Sequence, residues 1–144
     1  MLSLFAQNPV FTQSEITDEI FRRIRGKSFP EECTTSRETL RFLRVSHYNG
    51  EGEVCQGELI CHHSIAEDLL DIFRQLYDAR YPIERMVLID EYDADDEASM
   101  VHNNTSAFNF RYISGTRRLS KHSLGLAVDI NPLYNPYVRQ RGGK

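Results

Sequence analysis

The sequence predicts an α+β domain in which a small antiparallel sheet packs against helices, and three observations carry that expectation. Residues 40–48 (LRFLRVSHY) alternate apolar and polar, Asn49-Gly50-Glu51-Gly52 supplies turn chemistry, and 57–61 (GELIC) reads as a return strand, the pattern of a β-hairpin. After Ser64, the residues Ile65, Leu69, Ile72, Phe73 and Leu76 recur at helical spacing and form one apolar stripe. Residues 85–90 (RMVLID) are short and rich in aliphatics, as expected of a central strand. Strand, helix and strand in succession define the class.

Taken in order, residues 14–25 place Ile16, Ile20, Phe21 and Ile24 at the spacing of a first helix, which Gly26 ends. The hairpin follows. Ser64-x-x-Glu67 has the form of a capping box at the start of the second helix, and Tyr81-Pro82 prevents that helix from continuing. Residues 90–97 hold six acids in eight positions. They lack the glycine and ligand spacing of an EF-hand, so a solvated loop kept extended by like-charge repulsion is expected. Asn103-Asn104-Thr105-Ser106 carries side chains that bond local backbone and fix a turn. Around Leu126-Ala127-Val128-Asp129-Ile130 alternation sends Leu126, Val128 and Ile130 to the core and Ala127 and Asp129 to the other face.

A chain of 144 residues is the size of one domain and long enough for a core without disulfide staples. No apolar run approaches the roughly 18 residues needed to cross a bilayer. The net charge of −4 is unevenly spread: residues 1–109 hold 10 Lys/Arg against 20 Asp/Glu, a sum of −10, while 110–144 hold 7 Lys/Arg against Asp129 alone, a sum of +6. The acidic total argues against nucleic acid as a partner, and the basic end suits a smaller anion such as a substrate carboxylate. Three cysteines, Cys33, Cys55 and Cys61, make no disulfide framework, although Cys55 and Cys61 lie close enough in sequence to pair at a hairpin. Cys61-His62-His63 offers metal donors but no second half to complete a site. The first seven residues lack the basic region and apolar length of an intact signal peptide and are compatible with the stub of a processed one.

His122 lies seven residues before Asp129, across a bend containing Gly125. A loop folding back there brings an imidazole and a carboxylate together, either as donors to one zinc ion or as a hydrogen-bonded pair. The run Ser120-x-His122-x-x-Gly125-x-Ala127-x-Asp129, continued by Ile130-Asn131-Pro132, resembles the zinc-binding signature of the D-alanyl-D-alanine carboxypeptidase family. That family includes the vancomycin-resistance D,D-peptidases and the phage endolysin L-alanyl-D-glutamate peptidases. The approach to the motif is similar as well: the acidic loop, Ser99-Met100, the stretch from Asn103 to Asn109, then Arg111. The resemblance spans about 90–137, and more loosely 40–90.

It implies a Hedgehog/D,D-peptidase-like fold, with His122 and Asp129 as two of three ligands to Zn2+. Arg111 is implied as the catalytic cation that stabilises an oxyanion or holds the substrate carbonyl, a task suited to a planar fork that cannot deprotonate. Ser120 is implied to lie beside the site and bind substrate or a ligand. The family carries a later Glu-x-x-His or Asp-x-x-His segment with the third ligand and, nearby, the general base; after Asp129 this sequence holds no His, Asp or Glu. The expectation is therefore a single peptidase-like domain over 1–144, incomplete at its C-terminus. The implied function is a zinc carboxypeptidase or endopeptidase acting on D-amino-acid-containing peptidoglycan stem peptides in the bacterial cell envelope. The alternative is a non-catalytic module of the same fold that binds cell-wall peptide or metal.

Overall fold

A computed structural model describes residues 8–113 and 115–136. Three antiparallel strands, β1 (Phe11–Glu15), β2 (Leu40–Tyr48) and β3 (Val54–His62), form one sheet in the order β1-β2-β3, which bears out the α+β expectation. The hairpin register pairs Leu40 with His62 and Tyr48 with Val54. Its turn closes because Asn49 Oδ1 accepts from the amides of Glu51 and Glu53, both at 2.9 Å, as an asparagine side chain does when it mimics a backbone turn.

The period-two alternation of β2 and β3 divides the core between the two faces of the sheet. Leu43, Val45, Leu59 and Cys61 point to the face covered by helix α2 (His63–Asp78), which contributes Ala66, Leu69, Leu70 and Phe73. Leu40, Phe42 and Ile60 point to the other face and meet Ile20 and Ile24 of helix α1 (Asp18–Ile24) together with Leu88, Phe108 and Phe110. The first helix is thus shorter than residues 14–25. Its N-terminal part is β1, which pairs with β2 over Phe11–Glu15, and Thr17 caps the helix by accepting from Ile20 N.

Helix α2 begins one residue before Ser64. His62, and not Ser64, is its N-cap, with Nδ1 accepting from Ser64 N at 3.1 Å. No capping box forms, and Glu67 instead accepts from Gln13 Nε2 of β1 at 2.7 Å. Residues 85–90 do not form a strand. Asn104, fully buried, takes the place of a neighbouring chain: its Oδ1 accepts from Val87 N at 2.9 Å and its Nδ2 donates to Val87 O at 3.0 Å. The acidic stretch is not an extended loop either. It folds into a short 3-10 turn (Ile89–Tyr92) and helix α3 (Asp96–Val101), capped by Asp95 Oδ1. Asp90 is buried and accepts from Ser28 N at 2.9 Å.

The remaining chain covers the outer edge of β3 through one hydrogen bond per segment. Glu58 N donates to Met86 O, Phe108 N donates to Ile60 O, and His62 N donates to Gly125 O, all within 2.9–3.0 Å. Residues 126–130 are not a ladder strand but join this edge layer through a single bridge between Ser106 and Asp129. Val128 and Ile130 pack against the α2-side core as the alternation predicts. Leu126 does not follow it and is 39% exposed. All three cysteines are free. Cys61 is buried in the core, and burial pushes its thiol up to about 12, so it is an inert apolar side chain. Among the described residues no helix is long and apolar enough to cross a membrane.

Candidate metal centre

The site is built on three consecutive residues, each with a separate task. Ser106 exchanges backbone hydrogen bonds with Asp129, at 3.2 Å (Ser106 N to Asp129 O) and 2.9 Å (Asp129 N to Ser106 O). Ala107 O accepts from His122 Nδ1 at 2.6 Å. Phe108 N anchors the segment to β3 through Ile60 O. The carboxylate and the imidazole are thus positioned from neighbouring points on one piece of backbone.

His122 lies in a 3-10 turn, Lys121–Leu124. Ser120 caps this turn, its Oγ accepting from His122 N at 3.1 Å. The turn ends at Gly125, in the left-handed region with φ +73°. A Cβ on Gly125 would stand 2.6 Å from His62 N and 3.1 Å from Cys61 C, so only glycine lets the loop lie against the end of β3. The glycine of the motif is therefore a packing requirement that brings the imidazole to the sheet edge.

His122 Nε2 and Asp129 Oδ2 are 3.2 Å apart, with side-chain exposures of 13% and 48%. Because the backbone carbonyl of Ala107 takes the Nδ1 proton, neutral His122 turns the lone pair of Nε2 toward a carboxylate oxygen. Two lone pairs at that distance repel unless a proton or a cation lies between them. The same arrangement explains the titration. Burial pulls the His122 imidazole down, but the hydrogen bond to Asp129, the Ala107 carbonyl and the Asp129 charge together carry it above its ordinary value. The hydrogen bond from His122 holds the Asp129 carboxyl below the usual range against the opposing effect of burial, helped by the charges of His122 and Arg111.

The donor set fits zinc as far as it goes. Imidazole nitrogen and carboxylate oxygen bind Zn2+ at about 2.0–2.2 Å, and two such ligands at a tetrahedral angle stand about 3.4 Å apart, close to the observed separation. The backbone acceptor on Nδ1 is the partner that a ligating histidine ordinarily has. Among the described residues no group of three or more His, Cys, Asp or Glu side chains converges. Cys61-His62-His63 makes no metal site there: Cys61 is in the core, and His62 and His63 stack at 4.4 Å while His62 Nδ1 serves the helix cap.

Arg111 stands close enough for its charge to act on both His122 and Asp129. Its Nη2 is 3.5 Å from Asp96 Oδ2, and its Nε is buried and has no hydrogen-bond partner among the described residues. Four positions singled out by sequence, Arg111, Ser120, His122 and Asp129, are therefore brought together. Ser120 is 8% exposed and acts on the His122 backbone. Sequence reasoning missed Ala107, whose contribution is a carbonyl and has no residue-type signal. It also missed Asp96 and Ser123, the second of which accepts from Arg111 N at 2.8 Å.

An imidazole and a carboxylate thus face each other at 3.2 Å, with an arginine close enough for its charge to act on both. Residues 114–144 match the family model described as D-alanyl-D-alanine carboxypeptidase. This short match spans the His122 turn and Asp129, agrees with the resemblance drawn from the motif, and supports a peptidase at the level of the family. Comparison with curated proteins and with solved structures gives no match.

Proposed function

We propose that this chain carries the metal-binding half of a zinc metallopeptidase of D,D-peptidase-like fold, acting in the bacterial cell envelope on peptidoglycan stem peptides that contain D-amino acids. The observation that supports this most is the opposition of His122 Nε2 and Asp129 Oδ2 at 3.2 Å, with Nδ1 tied to Ala107 O. The same contact serves a protonated His122 as a hydrogen bond to Asp129; the metal reading adds that a cation would replace that proton between the two donors, with the backbone acceptor on Nδ1 that a ligating histidine ordinarily has.

His122 and Asp129 would hold the ion, which when bound supplies Lewis acidity and lowers the pKa of a coordinated water toward ~7. Arg111 offers the substrate carbonyl oxygen a fork of donors, and its buried Nε has no competing partner among the described residues. Such a donor stabilises charge as it grows on that oxygen. Ser120 keeps the His122 turn in place through its hydrogen bond to the backbone. The +6 balance of residues 110–144 attracts a peptide that ends in a carboxylate or carries acidic stem residues. The reading also requires a third donor and a base, which the described residues do not supply. The second reading is a module of the same fold that binds cell-wall peptide or metal without cleaving peptide.

Zinc content after dialysis of the wild type and of His122→Ala tests the centre, and equal, near-zero metal in both removes it. Hydrolysis of a D-alanyl-D-alanine peptide then separates the two readings. Arg111→Lys should lower kcat far more than metal content, since it keeps the charge and loses the fork. A wild-type rate in that variant takes Arg111 out of the mechanism.

A further inference from the structure

The hydroxyl of Ser123 has both of its hydrogen bonds committed to one residue. It accepts from Arg111 N at 2.8 Å and donates to Arg111 O at 2.6 Å. The side chain is fully buried. Ser120 N adds a second donor to Arg111 O at 3.1 Å, and Asn109 N donates to His122 O at 3.0 Å. From the other side, Thr35 Oγ1 donates to Ser123 O at 2.6 Å. A serine next to His122 thus does for Arg111 what a paired strand does for its neighbour, satisfying an amide and a carbonyl at once. An apolar residue there leaves the Arg111 amide without that partner.

We infer that Ser123 is a positioning residue which locks the Arg111 backbone to the His122 turn, so that the guanidinium and the imidazole are held as one unit. What that unit is for rests on the reading of the site as a metal centre; the clamp itself rests on the hydrogen bonds. Beyond Arg111 the chain runs into a local turn, closed by Ile113 N to Arg118 O and by a single bridge between Tyr112 and Leu119. Without the serine, the Arg111 amide loses its partner and the bonds from Ser120 N to Arg111 O and from Asn109 N to His122 O are left to hold the segment to the His122 turn. With it, the charge lies at a set distance from the donor pair.

A coupling cycle tests this. Zinc affinity is measured by chelator competition in the wild type, Ser123→Ala, Arg111→Gln and the double variant, with Ser123→Thr as the variant that keeps a hydroxyl. Removing the Arg111 charge should tighten zinc binding by roughly fivefold when Ser123 is present and less than twofold when it is absent, a coupling of the size seen between residues in one network. Ser123→Thr should restore the larger effect. Equal effects in both backgrounds overturn the inference.

A second readout needs no metal. Exchange of the buried Arg111 Nε–H, followed by NMR, should be at least tenfold faster in Ser123→Ala while the amides of α2 exchange as before. An unchanged rate overturns the clamp. Should no chain bind zinc more tightly than the His122→Ala control, the metal reading fails, and guanidinium exchange decides the role of Ser123 alone.

Discussion

Replacing Gly125 by alanine isolates the contact that seats the His122 turn on the sheet. The backbone there has φ +73°, which costs an L-residue about 1–2 kcal/mol. The new Cβ would lie 2.6 Å from His62 N and 3.1 Å from Cys61 C, both backbone atoms, and 3.2 Å from Leu40 Cδ2. Backbone at the end of β3 cannot yield as a flexible side chain can, so the loop must lift. Lifting breaks the 2.9 Å bond from His62 N to Gly125 O and leaves an edge amide unpaired, for about 1–3 kcal/mol more. The sum is about 2–5 kcal/mol, or a fall in Tm of ~10 °C for a domain of this size. Gly26→Ala is the control for conformation alone, because Gly26 has φ +78° but no atom within 4 Å of a Cβ; it should cost about 1–2 kcal/mol. Gly50→Ala, with open space and no positive φ, should stay within about 0.5 kcal/mol. Thermal and urea unfolding of the three variants supply the comparison. If Gly125→Ala is no more destabilised than Gly26→Ala, the close approach of the turn to β3 is wrong, and with it the placement of His122.

Two further perturbations probe the frame around the site. Asn104→Ala removes the partners of Val87 N and Val87 O and the bond to Ser99 Oγ at 3.0 Å. With these groups half-buried or buried, unfolding in urea should show a loss of about 3 kcal/mol, and a loss below about 1 kcal/mol means that the amide is not replacing a strand. Burial raises the Asp90 carboxyl against the hydrogen bonds from Ser28, so the folded state binds this proton more readily than the unfolded chain. Its contribution is then fully present below the unfolded pKa and is lost as pH rises through the folded value. Asp90→Asn does not titrate and keeps an oxygen for Ser28 N, so its stability relative to wild type should improve from pH 4 to pH 7. Parallel pH profiles would show that Asp90 is not desolvated.

The hairpin and α2 were legible because their burial follows the periods of the backbone, two for the strands and 3.6 for the helix. The same period misleads at 85–90 and 126–130. Alternation reports which side chains are buried, not whether a neighbouring strand accepts the hydrogen bonds, and at Val87 that acceptor is an asparagine side chain. The acidic run folds where repulsion alone predicts extension because Asp95 caps α3 and Asp93 and Ala94 both take left-handed conformations, φ 55° and 61°. The ordered motif placed His122, Gly125 and Asp129, since imidazole, carboxylate and glycine each have a function that only their residue type supplies. Ala107 O and the Ser123 clamp stayed invisible: a carbonyl has no residue type, and a buried serine reads like any other small residue.

The irregular course of the chain past β3 has a physical use. In a regular strand, donors on neighbouring strands take whatever separation the pleat and twist impose. Here residues 106, 107 and 108 hold Asp129, His122 and β3 respectively, so the distance between carboxylate and imidazole is set by one stretch of backbone shorter than a helical turn. Peptide geometry is stiff at that range, and any tilt of the layer relative to the sheet moves both donors together. The two residues can therefore keep a 3.2 Å separation even though their own loop and segment are joined to β3 by single hydrogen bonds. Holding Nε2 and Oδ2 that close costs free energy only while His122 is neutral; a proton on Nε2 turns the contact into the hydrogen bond that raises the His122 imidazole. Under the proposed metal reading, a cation would take the place of that proton at the spacing that 106–108 already hold.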